Sequence, residues 1–143
     1  MLFRSAVLLG GGVNHRYGLD DGVCIKANHA GIAGGLGAAV QKARDMIGHV
    51  HLIAAEIANQ AEAAEAIEHG ANVLVVDGLA PAELAGLVGH VRSLSPQATI
   101  EVSGPITLEN VRAYADAGPN LIRVDALTQS VKAMAIGFQI QPA

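Results

Sequence analysis

Five short runs of aliphatic and β-branched residues, at 23–26, 51–57, 73–77, 99–103 and 121–124, alternate with longer stretches of helical pattern. Helices are expected at 36–47, 59–69, 81–93 and 108–117, with a last one from Ser130 to about Phe138 and another over the residues ahead of Gly10. Parallel strands cannot be joined by tight turns and need crossovers of about a dozen residues or more, usually helical. The alternation therefore predicts a parallel βα repeat. From the second strand onward the strands start 22 to 26 residues apart, which matches no solenoid signature.

Local punctuation agrees. Gly48, Gly70 and Gly118 fall where helix C-caps are expected, Asn59 and Thr107 where N-caps are expected, and Pro81 suits the first turn of its helix. Hydrophobic residues make up 51% of the chain with two Tyr, two Phe and no Trp, so Ala, Val, Leu and Ile must build the core. Small aliphatic cores suit helices packed on parallel sheets, and 143 residues suffice for one such domain, 1–143.

Composition also excludes several roles. Lys and Arg number 9 against 13 Asp and Glu, a net charge of −4 with no basic run, so there is no footprint for nucleic acid. The apolar stretches are interrupted well before the roughly 20 residues of a membrane span, and no membrane association is expected. The N-terminal MLFRSAVLLGGG lacks the small-residue cleavage pattern of a signal peptide. The single Cys24 has no internal partner for a disulfide; it is expected to pack as a small hydrophobe, and the cytoplasm is the default compartment.

A βα repeat can form an open doubly wound sheet or a barrel, and periodicity does not choose between them. In both, the active site gathers at the C-terminal edge of the strands. Here the runs finish on Lys26, Glu56, Asp77, Ser103 and Asp125. Lys26 ends a run expected to be buried, and a buried Lys is rare unless it is paired or functional. Glu56 and Asp77 stand at equivalent strand ends, where two carboxylates can orient ribose hydroxyls or a metal ion. Ser103 and Gly104 lead toward Thr107, a strand, small loop and helix N-terminus that can cradle phosphate. Ahead of the first strand, Gly10 to Gly12 serve either as a helix C-cap or as a close backbone approach to a ligand. The adjacent His15 and Arg16 can hold the carboxylates of a small acid. His29 lies near Lys26 and can reach the same site, whereas His49, His51, His69 and His90 show no metal-ligand spacing and are expected at the surface.

The run GGGVNHRYGLDDGVCIKANHAGIAGG from Gly10, together with AAEIAN around Glu56, VLVVDGLAP around Asp77, IEVSGPITLENVRAYADAG from Ile100 and ALTQSVKAM from Ala126, resembles the quinolinate phosphoribosyltransferases, also called nicotinate-nucleotide pyrophosphorylases. The resemblance implies a partial (β/α) barrel of about five strands, a single incomplete domain. It implies transfer of a phosphoribosyl group from phosphoribosyl pyrophosphate to quinolinate with loss of carbon dioxide, giving nicotinate mononucleotide and pyrophosphate. Mg2+ would accompany the phosphorylated substrate, with no tightly bound organic cofactor. Residue by residue, it implies His15 and Arg16 at the quinolinate carboxylates, Lys26 near substrate or pyrophosphate, Glu56 and Asp77 at ribose and Mg2+, and Ser103 with Gly104 at the 5′-phosphate.

The same resemblance carries departures. Pro105 replaces a phosphate-loop glycine and removes a backbone donor, Gly78 replaces an Asn, Ala27 an Asp, and Gln129 a His. Asp125 stands where the family typically has a glycine close to phosphate. A carboxylate about 4 Å from phosphate, at an effective dielectric near 20, would repel it by on the order of 4 kcal/mol. The family also has an N-terminal domain and a Thr-Arg-Lys-Thr strand ahead of the first helix, neither within these 143 residues. Two expectations follow: a site short of positive charge, and an open sheet edge near Val23 or Leu121, covered in a homo-oligomer or by a separate N-terminal half. A non-catalytic pseudoenzyme or assembly subunit is the alternative. Intact Asn14-His15-Arg16 and Lys26 speak against a related pyrophosphorylase-like protein linked to metal uptake.

Overall fold

The structure, a computed structural model, describes residues 2–129 and 131–141. Its order is α1 (Leu2–Leu9), β1 (Gly22–Ile25), α2 (Ala27–Ala33), α3 (Leu36–Met46), β2 (Leu52–Ile57), α4 (Gln60–Glu68), β3 (Val73–Asp77), α5 (Pro81–Leu94), β4 (Thr99–Ser103), α6 (Val111–Asp116) and β5 (Leu121–Ile122). A 3-10 turn at Asp125–Leu127 follows.

All four strand pairings are parallel, and the spatial order is β1-β2-β3-β4-β5. Each crossover thus returns to the adjacent strand in one direction, the path of a barrel; a doubly wound sheet reverses direction at a switch point. The buried cluster lies between the sheet and its helices: Ile53, Leu74, Val76, Ile100 and Val102 from the strands meet Val40, Leu84 and Val91 from α3 and α5. Burial of each such side chain stabilises the fold by about 1.5–3 kcal/mol. Alternate strand residues Ala54, Glu56, Val75, Glu101 and Ser103 look the other way, onto a face that no helix layer covers among the described residues. Five strands do not close, so β1 and β5 stand as edges, as expected.

A device repeated at 48 residues fixes the lower rim. Asn72, before β3, accepts from the Ile53 amide (3.0 Å) and from Nη2 of Arg44 in the last turn of α3 (2.8 Å). Asn120, before β5, accepts from the Ile100 amide (2.8 Å) and from Nη2 of Arg92 in the last turn of α5 (2.5 Å). Each clamp ties a helix C-terminus to two strand starts, and Arg also suits the negative end of the helix dipole.

Three local expectations are corrected. The helix expected at 108–117 begins at Val111, because the Asn110 side chain accepts the Thr107 amide (2.8 Å) and donates to the Pro105 carbonyl (3.0 Å), holding a turn where a first helical turn would start. Gly48 is not a left-handed cap; α3 ends at Met46 and Ile47 leaves in extended conformation. Residues 131–141 form no helix, and the expected start, Ser130, lies outside the described residues. A helix this short needs an apolar face to pack on, and Val131, Met134, Ile136 and Phe138 all remain exposed. With α6 starting at Val111, Thr107 is not its N-cap, a place that Asn110 takes, whereas Asn59 caps α4 by accepting from the Glu62 amide (2.9 Å), Pro81 opens α5, and Gly70 and Gly118 have positive φ.

Candidate functional site

The triple glycine is a helix ending. Gly12 N–H donates to the Val7 carbonyl (2.9 Å) and Gly11 N–H to that of Leu8 (3.0 Å), with Gly11 left-handed at φ 83°. This is a Schellman cap, and it turns the chain so that Asn14 to Arg16 run beneath the open face of the sheet. Arg4 of α1 holds this loop, donating to the Tyr17 carbonyl (2.8 Å) with its guanidinium 4.5 Å from the Tyr17 ring centroid. From the other end the Asp21 carboxylate accepts from the Tyr17 and Gly18 amides.

Loop and sheet enclose a cavity of about 460 Å3, bordered by His15, Arg16, Cys24, Glu101 and Arg123. Glu101 is its central charge, 7% exposed in the middle of β4. Arg123 Nη1 donates to Glu101 Oε1 at 2.9 Å, and His15 Nε2 lies 3.6 Å from the same oxygen. Neither Glu101 nor Arg123 was among the residues singled out from the sequence. The available signal was a charge inside each apolar run, TIEVS and LIRV.

The remaining predicted residues gather at the C-terminal edge. Ser103 Oγ donates to Asp77 Oδ1 at 2.6 Å, across strands paired in register at these two residues. Glu56 pairs in register with Val75, so Asp77, two residues on, is its diagonal neighbour on the same face. Lys26 follows Ile25, which pairs with Ala55, and so lies level with Glu56. Lys26 itself is exposed and forms no ion pair among the described residues. The expectation of a buried Lys fails because β1 is an edge strand and Lys26 already caps α2, its amide donating to His29 Nδ1 (3.0 Å). That bond also explains His29, which faces its own helix turn. His51, His69 and His90 are half-buried, not at the surface; His51 Nδ1 is buried without a hydrogen-bond partner among the described residues.

At the expected phosphate loop, Gly104 has φ 143°, and a Cβ there would come within 3.2 Å of the Gly78 nitrogen. The loop needs glycine at this crossing. The cradle expected at a helix N-terminus is absent here, since α6 starts at Val111 and the Thr107 amide is taken by Asn110. Thr107 instead holds the exposed Glu109 carboxyl below its usual range through a side-chain hydrogen bond. Asp125 is exposed at the start of the 3-10 turn beyond β5, its carbonyl accepting from the Thr128 and Gln129 amides.

Residues 1–139 match the family described as "Quinolinate phosphoribosyl transferase, C-terminal domain". This chain belongs to that family. Among its relatives, the probable nicotinate-nucleotide pyrophosphorylase [carboxylating] of Bacillus subtilis is 40% identical, with 98% of this chain and 47% of that protein covered. The nicotinate-nucleotide pyrophosphorylase [carboxylating] of Homo sapiens is 31% identical over 96% of this chain and 46% of that one. The solved nicotinate-nucleotide pyrophosphorylase from Francisella tularensis shares the fold at a TM-score of 0.81 and 35% identity, covering 89% of this chain and 44% of that chain. The chain thus spans about half the length of the curated quinolinate phosphoribosyl transferase relatives it matches.

No helix among the described residues is long and apolar enough to cross a membrane. Also among the described residues, no three His, Cys, Asp or Glu side chains cluster so as to hold a metal ion by themselves. Glu56 and Asp77 are a pair, which fits a hard cation that keeps its waters and takes one or two carboxylates plus phosphate oxygens.

Proposed function

We propose that this chain is the phosphoribosyl-transfer half of a carboxylating nicotinate-nucleotide pyrophosphorylase, acting in the cytoplasm on quinolinate and phosphoribosyl pyrophosphate to give nicotinate mononucleotide, pyrophosphate and carbon dioxide. One observation carries the reading: the acid-binding pair His15 and Arg16 borders a cavity on the face of the sheet that also presents Glu56, Asp77 and Ser103 at its C-terminal edge. The names of the relatives agree with it.

On this reading His15 and Arg16 bind the carboxylates of quinolinate, and the charge-assisted fork of Arg16 fixes the ring. Asp77, held by Ser103, and Glu56 orient the ribose hydroxyls, so that positioning rather than a nucleophilic side chain lowers the barrier. Lys26 meets the departing pyrophosphate, and Ser103 with Gly104 the 5′-phosphate. Mg2+, entering with phosphoribosyl pyrophosphate and held by Glu56 and Asp77, would neutralise the charge that develops on the departing pyrophosphate.

The open edges β1 and β5 are covered by an N-terminal half or a second copy, which also brings further cations. Mixing the chain with the N-terminal half of the B. subtilis relative, both substrates and Mg2+ tests the reading: nicotinate mononucleotide should form, and E56Q or D77N should abolish it. A second reading, a non-catalytic assembly subunit, is favoured by Pro105, by Asp125 and by the Thr107 amide being already engaged. Calorimetry separates the two, because that subunit would not bind nicotinate mononucleotide.

A further inference from the structure

The cavity holds more positive charge than the sequence motifs announce. Beside His15 and Arg16 it is bordered by Arg123, whose backbone is fixed by its amide donating to the Val102 carbonyl (2.8 Å). The side chain is fixed as well, by Nη1 donating to the buried Glu101 carboxylate. A guanidinium has five N–H donors. Among the described residues Nη1 is the only nitrogen of this side chain with a hydrogen-bond partner, and the side chain keeps 30% of its exposure. Arg123 is therefore held at one corner while its other donors stay open to the cavity, a geometry suited to a planar carboxylate.

We propose that Arg123, oriented by Glu101, is a third contact for the acid substrate beside His15 and Arg16 and sets the preference for a diacid over a monoacid. The proposal rests on the reading of this cavity as the acid-binding site. A side chain already held in place loses little freedom on binding, so its contact adds to affinity with little ordering cost. Glu101 acts as the positioning residue: it anchors Arg123 and stands next to His15, linking two of the three basic side chains. Two carboxylates on one ring then find separate cationic partners. A ring with one carboxylate uses the His15 and Arg16 side alone.

Calorimetric titration of the full chain with quinolinate and, separately, with nicotinate tests this. The expected result is tighter binding of quinolinate by the wild type, weakened roughly 10- to 100-fold in R123Q, while the weaker nicotinate binding changes less than about threefold. R123K keeps the charge but loses the fork and should fall between. Because R123Q leaves the Glu101 carboxylate without its partner, the E101Q/R123Q double variant, checked for fold by circular dichroism, should show the same selective loss. Should R123Q and the folded double variant bind quinolinate like wild type while R16A does not, Arg123 is no substrate contact, and the acid-site reading survives. Equal weakening of both acids in the folded double variant would also overturn the proposal. If the wild-type chain binds neither acid, the reading of the cavity falls and the proposal with it.

Discussion

Arg123 Nη1 and Glu101 Oε1 are 2.9 Å apart, joining the end of the last strand to a carboxylate that is 7% exposed in the centre of β4. The pair has a structural side as well as a functional one. Removing the guanidinium strands a buried charge, whereas replacing both partners does not. R123A is expected to destabilise the chain by about 2–3 kcal/mol in urea unfolding, and E101Q/R123Q by less than half of that. Equal losses for the single and double variants would show that the charge was never effectively buried.

The two Asn clamps make an independent prediction about the lower rim. N72A and N120A each leave a strand amide without its acceptor, at a cost of about 1–3 kcal/mol, although Arg44 Nη2 still donates to the Gly70 carbonyl (2.6 Å). The clamps share no partner, so the double variant should lose close to the sum of the single losses in urea unfolding. A double variant no worse than either single one would mean that the two clamps act as one.

Gly104 is the position least tolerant of a side chain. Its φ of 143° is open to few other residues, and an added methyl group would crowd the Gly78 backbone that follows Asp77. G104A should cost about 1–3 kcal/mol in thermal unfolding, and it should weaken binding of any ligand that uses the Ser103–Asp77 pair.

Asp125 is the residue that opposes phosphate on the proposed reading. Since it is exposed, solvent screening reduces the bare Coulomb repulsion, and D125G is expected to tighten nicotinate mononucleotide binding roughly tenfold in calorimetry. No gain in D125G would remove Asp125 from the phosphate site.

The unpaired rims of β1 and β5 predict association. Size-exclusion chromatography with light scattering at micromolar concentration should give a species larger than 14.6 kDa. A well-behaved monomer would show that the edges are protected some other way.

The amino-acid sequence alone determined the repeat. The β3 and β4 ranges, the Asn59 cap and the Pro81 start follow from period, β-branching and capping chemistry, all of which act within a few residues of chain. It also determined the family through motif order, and with it the residues at the C-terminal edge. Local periodicity left barrel path and doubly wound sheet open, because strand order depends on which side each crossover returns to; the motifs implied the barrel through the resemblance, and the strand order of the tertiary structure bears it out. Tertiary structure alone decided that Lys26 is exposed, since only the sheet order makes β1 an edge. It also found Glu101 and Arg123, 22 residues apart, whose charges read as isolated interruptions of two apolar runs until parallel pairing of β4 with β5 brings them into contact.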